Sequence, residues 1–305
     1  MLERLHGNEA LRADLTAALR AGRLPHSLLL CGAEGLGRNY AAHLIAADYL
    51  FPGGGAGAQA VLEDRCPECL VVRSEGAGDQ IRIDRIRAVR TSVRATGLSA
   101  EGRVALIEDV QKMQAPAANA LLKILEEPPE GVLFLLTVDS EAAVLPTIRS
   151  RCASYTLMPL AQQECVEQLR AEGCPQQDAV FLCQVYGGAL GRCLAAVRAP
   201  ERMALLQEAV GFFRLACAGD LFGMLAALLV YEGKNKREDA LIFLSDLAEL
   251  YTAALDGRSI PSLPLLPQAA AAQALPKLLL AQRRLRASGN PKLIFTLLAT
   301  QLAKR

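Results

Sequence analysis

Residues 26–39 join an apolar run to a glycine-rich turn. The run is His26-Ser27-Leu28-Leu29-Leu30-Cys31, and the turn is Gly32-Ala33-Glu34-Gly35-Leu36-Gly37-Arg38-Asn39. A short apolar run that ends at glycine is typical of a parallel strand covered on both faces. Glycines let the backbone turn tightly, and the start of a following helix presents free N–H groups. The stretch therefore predicts a strand–loop–helix unit of an α/β fold.

The spacing of this turn matches the phosphate-binding loop G-x-x-x-x-G-K-[ST]. Gly32, Gly35 and Gly37 keep the backbone pattern, but Arg38 and Asn39 stand where the motif has Lys and a hydroxyl residue. A guanidinium is larger and more planar than an ammonium. An amide is also a different ligand for Mg²⁺ from a hydroxyl. Two interpretations are open: an ATPase loop with altered chemistry, and a loop retained only for folding.

Strand and helix patterns alternate up to Pro159 and are purely helical afterwards. Alternation predicts a parallel five-stranded sheet covered on both faces. A Gly/Ala-rich loop is predicted at 52–60. After the first strand, the further strands are predicted at Ile81–Ile83, Val104–Ile107, Val132–Val138 and Ala153–Met158. The predicted domains are an α/β domain at 1–160, a small helical domain at 161–204 and a larger helical domain at 205–305.

The third predicted strand ends in two carboxylates, Glu108 and Asp109. Acidic side chains at this position hold Mg²⁺ and position the attacking water in P-loop enzymes. Their order here is reversed from the usual Asp-Glu, and side-chain length matters for both tasks. The pair therefore marks a nucleotide site in position but weakens the ATPase interpretation.

Composition excludes several classes of protein. The chain has 305 residues, with 33 Lys and Arg against 32 Asp and Glu, so its net charge of +1 excludes a polycationic coat protein. Its 52% hydrophobic and 21% charged residues are typical of globular domains. Without a predicted leader or membrane span, we expect a cytoplasmic protein.

Charge is unevenly distributed along the chain. Residues 257–305 contain eight Lys and Arg and no Asp or Glu, so they carry +8 and residues 1–256 carry +1 − 8 = −7. The basic end is either a docking surface for an acidic partner or a solvated helix face. A second basic segment holds Arg87, Arg90 and Arg94 on one helix face. These side chains are either DNA phosphate contacts or a solvated face.

Cys66-Pro67-Glu68-Cys69 supplies half of a zinc site. A closed structural site needs four ligands, and no further cysteine lies near enough in sequence to complete it. We expect a remnant without bound zinc. The remaining cysteines, including Cys31, Cys165, Cys183 and Cys217, are interpreted as small buried hydrophobic residues.

Further blocks extend these motifs into a family pattern. They are Gly22-Arg23-Leu24-Pro25-His26, Asn119-Ala120-Leu121-Leu122-Lys123-Ile124-Leu125-Glu126-Glu127-Pro128-Pro129 and Leu145-Pro146-Thr147-Ile148-Arg149-Ser150-Arg151-Cys152. In order and spacing the sequence resembles the bacterial DNA polymerase III clamp loader family, an AAA+ assembly. The resemblance is strongest over 6–160 and continues more weakly through Gly188–Gly191 and Ser288–Leu293. Within the family it is most similar to the delta-prime subunits.

The resemblance implies roles that composition and spacing alone do not give. Motor subunits related to gamma and tau keep an intact P-loop, a four-cysteine zinc module and an arginine in the helical lid. This chain has Arg38-Asn39, two of the four cysteines and Gly191 at the lid position, with Arg192 one place along. These departures imply a non-hydrolysing stator that binds no nucleotide and no zinc. Arg151 would then be an arginine finger that completes a neighbour's ATP site.

Partners follow from the same resemblance. We expect the gamma/tau motor subunits, the delta subunit, the β sliding clamp and primed DNA, with 161–204 as the lid and 205–305 as the oligomerising collar. Two alternatives come from other functional classes: a self-sufficient gamma/tau-like ATPase, and a stand-alone DNA-binding module.

Overall fold

The computed structural model of the chain describes residues 1–75, 79–94, 102–233 and 236–303, except the side chain of Arg94. The chain divides into two compact units, Met1–Leu160 and Ala161–Arg305. The further boundary predicted between residues 204 and 205 lies within a helix, Pro200–Ala218, and stays a prediction.

In the described part of the first unit, five parallel strands form one sheet in the order β2-β3-β4-β1-β5. The strands are β1 (Ser27–Cys31), β2 (Cys69–Val72), β3 (Arg103–Ile107), β4 (Val132–Val138) and β5 (Ala153–Thr156). Every residue of the central strands β1 and β4 is buried, whereas the edge strand β5 alternates between partly buried and exposed residues. The parallel pairing of the five strands, together with this burial, confirms the predicted parallel α/β sheet.

Helices cover both faces of the sheet. They are α1 (Glu9–Arg20), α2 (Arg38–Leu50), α3 (Ala56–Leu62), α4 (Ile83–Arg94), α5 (Ala115–Glu126) and the short α6 (Pro146–Arg149). Alternate residues of β1 enter opposite apolar layers: Leu28 and Leu30 pack with residues of α1 to α3, and Leu29 and Cys31 pack with residues of α4 and α5. The period of two along each strand produces these two layers.

The predicted second strand at Ile81–Ile83 is wrong. Ile81 makes only an isolated bridge to Met113, and Ile83 begins α4. The second strand is instead β2, whose residues Cys69–Val72 pair in register with Val104–Ile107. It is only four residues long and follows directly on the Cys-Pro-Glu-Cys turn, so its apolar run is too short to stand out.

The loop predicted at 52–60 is also partly wrong, because α3 occupies Ala56–Leu62. Three glycines precede an alanine-rich segment, and alanine has the highest helix propensity. Ala58 and Val61 anchor the helix in the core. The fifth strand ends at Thr156, two residues before the predicted end at Met158.

The described part of the second unit is entirely helical. Its helices are α7 (Gln162–Ala171), α8 (Gln176–Tyr186), α9 (Leu190–Arg198), α10 (Pro200–Ala218), α11 (Leu221–Leu229), α12 (Arg237–Leu255), α13 (Gln268–Arg286) and α14 (Pro291–Ala303). The change from α/β to all-α after residue 160 is confirmed. Within the described residues, no helix combines the length and apolar character that a bilayer crossing needs.

A buried carboxylate connects four helices of this unit. Asp246 of α12 is fully buried and accepts hydrogen bonds from Tyr186 Oη of α8 (2.9 Å) and Arg202 Nη2 of α10 (2.5 Å). Arg192 of α9 lies 3.5 Å from the same carboxylate, pairs with Glu249 and stacks over the ring of Tyr186. The network fixes α8, α9, α10 and α12 relative to one another, because each buried charge needs its partners.

We expect Asp246→Ala to lower the free energy of unfolding by roughly 3–5 kcal/mol, because it leaves two nearly buried guanidiniums short of a counter-charge. Urea denaturation of the full chain measures this change. Asp256→Ala is the matched control, since Asp256 pairs with Arg258 at 3.1 Å but is about half exposed. Equal losses in the two variants would contradict a special role for the buried carboxylate.

Candidate functional site

The glycine-rich loop lies at the carboxyl end of β1, between β4 and β5. In open α/β sheets, ligand sites form at such points, where neighbouring strands connect in different directions. Gly35 and Gly37 have φ values of +86° and +87°, which favour glycine. A Cβ on Gly32 would lie 3.3 Å from the Cβ of Leu157. The loop has therefore kept the residues that its backbone conformation requires.

Arg38 is the first residue of α2, and its side chain folds back into the loop. Its Nη1 donates to the carbonyl oxygen of Gly32 (2.8 Å) and its Nη2 to Oδ1 of Asp109 (2.6 Å), with only 10% of the side chain exposed. Its Nε–H is buried without a hydrogen-bond partner among the described residues. The guanidinium thus bonds to its own domain where the motif's lysine would reach a phosphate.

Asn39 is likewise committed to protein partners. Its Nδ2 donates to Oε2 of Glu108 (3.0 Å), and its Oδ1 accepts from the hydroxyl of Thr137 on β4 (2.7 Å). The Thr137 oxygen in turn accepts from the backbone N–H of Asp109 (3.0 Å). The amide therefore connects α2 to the ends of β3 and β4, in the place where a hydroxyl would hold Mg²⁺.

Glu108 is bound by an arginine that sequence reasoning missed. Arg73, directly after β2, donates from Nε to Oε2 (3.0 Å) and from Nη2 to Oε1 (2.8 Å) of Glu108. Its Nη1 bonds Oδ2 of Asp64 (2.7 Å), and Asp64 also bonds His43 Nε2 (2.9 Å). Hydrogen bonds to both carboxylates raise the pKa of Arg73. A correct prediction of β2 would have indicated Arg73, because this residue directly follows the strand at the edge of the sheet where the site lies.

Asp109 is paired with two cations of its own domain, Arg38 and Lys112. Besides Arg38, its carboxylate contacts Nζ of Lys112 at 3.2 Å. Burial opposes ionisation of Asp109, but the hydrogen bonds and charges of Arg38 and Lys112 still lower its pKa. We call Arg38, Asp64, Arg73, Glu108, Asp109 and Lys112 the charge cluster; its three cations balance its three carboxylates.

The geometry brings the predicted loop residues and the predicted carboxylates together. Glu108 and Asp109 both meet α2 at the carboxyl edge of the sheet, as a nucleotide site would require. However, the oxygens that could bind Mg²⁺ already accept strong charge-assisted hydrogen bonds. A metal ion at this point would have to displace an arginine from the same domain.

Cys66 and Cys69 lie at the start of β2, away from further ligands. Cys66 Sγ donates to Oε2 of Glu68 (3.2 Å), and burial raises the pKa of Cys69 to about 12. Among the residues described, the pair belongs to no group of three or more clustered Cys, His, Asp or Glu ligands. The geometry offers two sulfur ligands, half of what a closed zinc site needs.

Arg151 lies between α6 and β5 with about a third of its side chain exposed. Its Nη2 donates to Oε1 of Glu126 (2.7 Å) and its Nη1 to the carbonyl oxygen of Thr147 (2.9 Å). Glu126 ends α5 and is half exposed. The structure therefore places Arg151 on the surface, in a solvent-exposed pair within its own domain.

The structure also shows the surroundings of Arg192, next to the predicted lid position, and of the basic residues on α4. Arg192 is nearly buried in the Asp246 network and is not free to reach a nucleotide. Arg87 and Arg90 are exposed on α4 and, with Lys123 of α5, line a shallow groove between the two helices. The side chain of Arg94 lies outside the described residues, as do the last two basic residues of the chain.

We expect stability to fall in acid because Asp109 and Asp64 have lowered pKa values when folded. Each carboxylate stabilises the fold above the unfolded pKa of 3.8, and this contribution is lost as pH falls through the lower folded pKa. Urea midpoints measured from neutral pH to pH ~3 check this. Asp109→Asn should be less stable at neutral pH and less sensitive to acid, and parallel curves for variant and wild type would contradict the assignment.

Known proteins share this sequence pattern. A sequence model of the family described as "DNA polymerase III, delta subunit" matches residues 7–161. The delta-prime subunit of DNA polymerase III from Escherichia coli K12 is 27% identical over 223 residues, which cover 70% of this chain and 67% of that protein. The gamma/tau subunit from Mycobacterium tuberculosis H37Rv is 26% identical over 288 residues, covering 84% of this chain and 49% of that protein.

The chain spans about half the length of several curated relatives it matches. A solved structure of a gamma-subunit-related protein from Thermotoga maritima aligns with a TM-score of 0.52 at 19% identity, over 95% of this chain and 99% of that one. This similarity supports the fold described above, an α/β domain followed by helices. With the family match over residues 7–161, the chain belongs to the delta-prime family of DNA polymerase III clamp-loader subunits.

Proposed function

We propose that this chain is a stationary, non-hydrolysing subunit of a DNA polymerase III clamp loader. The observation that carries the proposal is the charge cluster, in which Arg38 binds Asp109 and Arg73 binds Glu108. Phosphoryl transfer by a P-loop enzyme needs a carboxylate on Mg²⁺ and a group that positions the attacking water. Here both candidate carboxylates are engaged by cations of the same domain, so the loop has the position of an ATP site without its chemistry. We propose that it holds no nucleotide and that Cys66 and Cys69 hold no zinc.

The partners follow from the family. In this proposal the chain assembles with gamma/tau motor subunits and the delta subunit, and the complex loads the β sliding clamp onto primed DNA. Residues 161–204 would act as the lid and residues 205–305 as the collar that joins the subunits. The groove lined by Arg87, Arg90 and Lys123 offers positive charge to a DNA backbone without reading sequence.

Arg151 is proposed to act on a neighbour's ATP. Its partner Glu126 is half exposed, and an exposed ion pair contributes only about 0–1 kcal/mol. A triphosphate carries several negative charges and accepts the same forked hydrogen bonds as a carboxylate. Arg151 can therefore exchange Glu126 for a γ-phosphate at little cost. There the guanidinium would neutralise the charge that develops during in-line attack.

We expect Arg151→Ala to reduce hydrolysis at the adjoining motor site by about 10³–10⁵, the range of arginine fingers, with normal assembly. Arg151→Lys should rescue poorly because it keeps the charge but loses the planar fork. The measurement is single-turnover ATP hydrolysis and clamp loading by a reconstituted loader, with assembly scored separately.

Two control variants separate the finger from a structural arginine. Arg149→Ala removes a neighbouring charge that is half exposed and 4.0 Å from Glu141, and should leave turnover unchanged. Glu126→Gln removes the intradomain partner and should also leave turnover intact. Normal turnover in both Arg151 variants would refute the finger, and lost assembly in Arg151→Ala and Glu126→Gln alike would indicate a structural pair.

We expect the isolated chain to show no DNA-stimulated ATP turnover. The double variant Arg38→Lys/Asn39→Thr should remain inactive, because Arg73 still holds Glu108. A steady-state phosphate-release assay, with Arg38→Ala purified in parallel as the contamination control, measures this. Wild-type turnover that disappears in Arg38→Ala would instead support the alternative, a self-sufficient gamma/tau-like motor. A stand-alone DNA-binding module would require salt-dependent affinity for primed DNA without partners.

A further inference from the structure

Three cysteine thiols converge inside the helical unit. Cys165 lies on α7, Cys183 on α8 and Cys193 on α9, and their Sγ atoms all lie within 4.8 Å of one another. The exposed fractions of the three residues are 0%, 3% and 0%. We call these three residues the cysteine cluster.

Sequence reasoning treated these residues as ordinary buried hydrophobic side chains. Nothing in their spacing indicates a metal site, because the nearest pair in sequence, Cys183 and Cys193, is ten positions apart. Familiar zinc motifs place two ligands within a few residues on one turn. Here each ligand comes from a different helix, so only the packing of α7, α8 and α9 brings the sulfurs together.

The arrangement suits a thiophilic metal ion. Soft thiolates select Zn²⁺, Cu(I) or iron–sulfur clusters over harder cations. In a tetrahedral zinc site with Zn–S distances of about 2.3 Å, neighbouring sulfurs lie about 3.8 Å apart. The upper bound of 4.8 Å in the cysteine cluster is close enough for small side-chain rotations to reach that geometry.

A fourth thiol lies near the cluster. Cys174 follows α7 at its turn into α8, is 7% exposed, and is close enough for its charge to act on Cys183. No cation pairs with the three sulfurs in the described residues, since neighbouring Arg192 is turned to Asp246 and Glu249. A divalent ion would therefore supply positive charge that the protein itself does not place there.

The cluster also lies where a metal would have a structural effect. The helices that carry it have only 10, 11 and 9 residues, and helices this short depend on tertiary contacts for their stability. Cys193 lies inside α9 and directly follows Arg192, an arginine of the Asp246 network. An ion bound here would hold α9 and so fix the position of that arginine.

We propose that Cys165, Cys183 and Cys193 bind one Zn²⁺ ion that fastens α7, α8 and α9 together. This site is separate from Cys66 and Cys69, which offer only two sulfurs, and it does not depend on the stator proposal. Binding requires loss of the thiol protons, so affinity should increase as pH rises. The ion is structural, because all three cysteines that would hold it are buried.

The test uses the full chain, purified in reductant, stripped with a chelator and titrated with Co²⁺ and then Zn²⁺. We expect about one metal ion per chain and a near-ultraviolet thiolate-to-cobalt charge-transfer band whose intensity corresponds to three or more thiolates. Zinc should displace the cobalt and raise the melting temperature of the chain. The intensity of this band per bound cobalt increases with the number of thiolate ligands. The measurement on wild-type protein therefore distinguishes a three-cysteine site from the two-cysteine site at Cys66 and Cys69.

Matched variants locate the ion. Cys66→Ala/Cys69→Ala should keep the band and the zinc-dependent melting shift, whereas Cys183→Ala/Cys193→Ala should lose both, with far-ultraviolet circular dichroism as the check on folding. The proposal is overturned if wild-type protein shows no band in excess Co²⁺. It is also overturned if the intensity corresponds to two thiolates, or if the band disappears in Cys66→Ala/Cys69→Ala.

Discussion

The bidentate bond between Arg73 and Glu108 is the interaction on which the candidate site depends. It joins the residue after β2 to the end of β3, and through Asn39 it reaches the first turn of α2. Arg38 makes the matching connection from α2 to Asp109. Two partly buried carboxylates at one edge of a sheet repel each other unless cations compensate them. The chain supplies those cations itself, where a P-loop enzyme would use a magnesium ion and a nucleotide.

In the proposed function, this substitution lets a delta-prime family member keep the position of an ATP site without its chemistry. The glycines remain because the backbone still turns tightly after β1. The two residues that would contact phosphate and metal have changed to side chains that bond within the domain. In the proposed function the loop contributes to folding, and the partly exposed Arg151 is the group that would reach a nucleotide on another subunit. The helical unit is organised on a similar principle, with the buried Asp246 neutralised by arginines.

Much of the first unit could be predicted because its signals are local. Val132–Val138 was predicted at its observed bounds because a central parallel strand is apolar at every position. β2 was missed because an edge strand of four residues leaves little periodicity. That error concealed Arg73, whose role depends on where β2 ends. The cysteine cluster could not be predicted, since its three sulfurs meet only when three helices pack, and no spacing rule describes that meeting.

Magnesium dependence of nucleotide binding by the isolated chain tests the central claim most directly. If arginines of the same domain occupy Glu108 and Asp109, calorimetric titration with ATP should give the same result with and without Mg²⁺. The Nε–H of Arg38 has no hydrogen-bond partner among the described residues, and weak anion binding to it would also be independent of the metal. Tighter binding of ATP in Mg²⁺, lost in Asp109→Asn, would show that the carboxylates are available to the metal and would contradict the account.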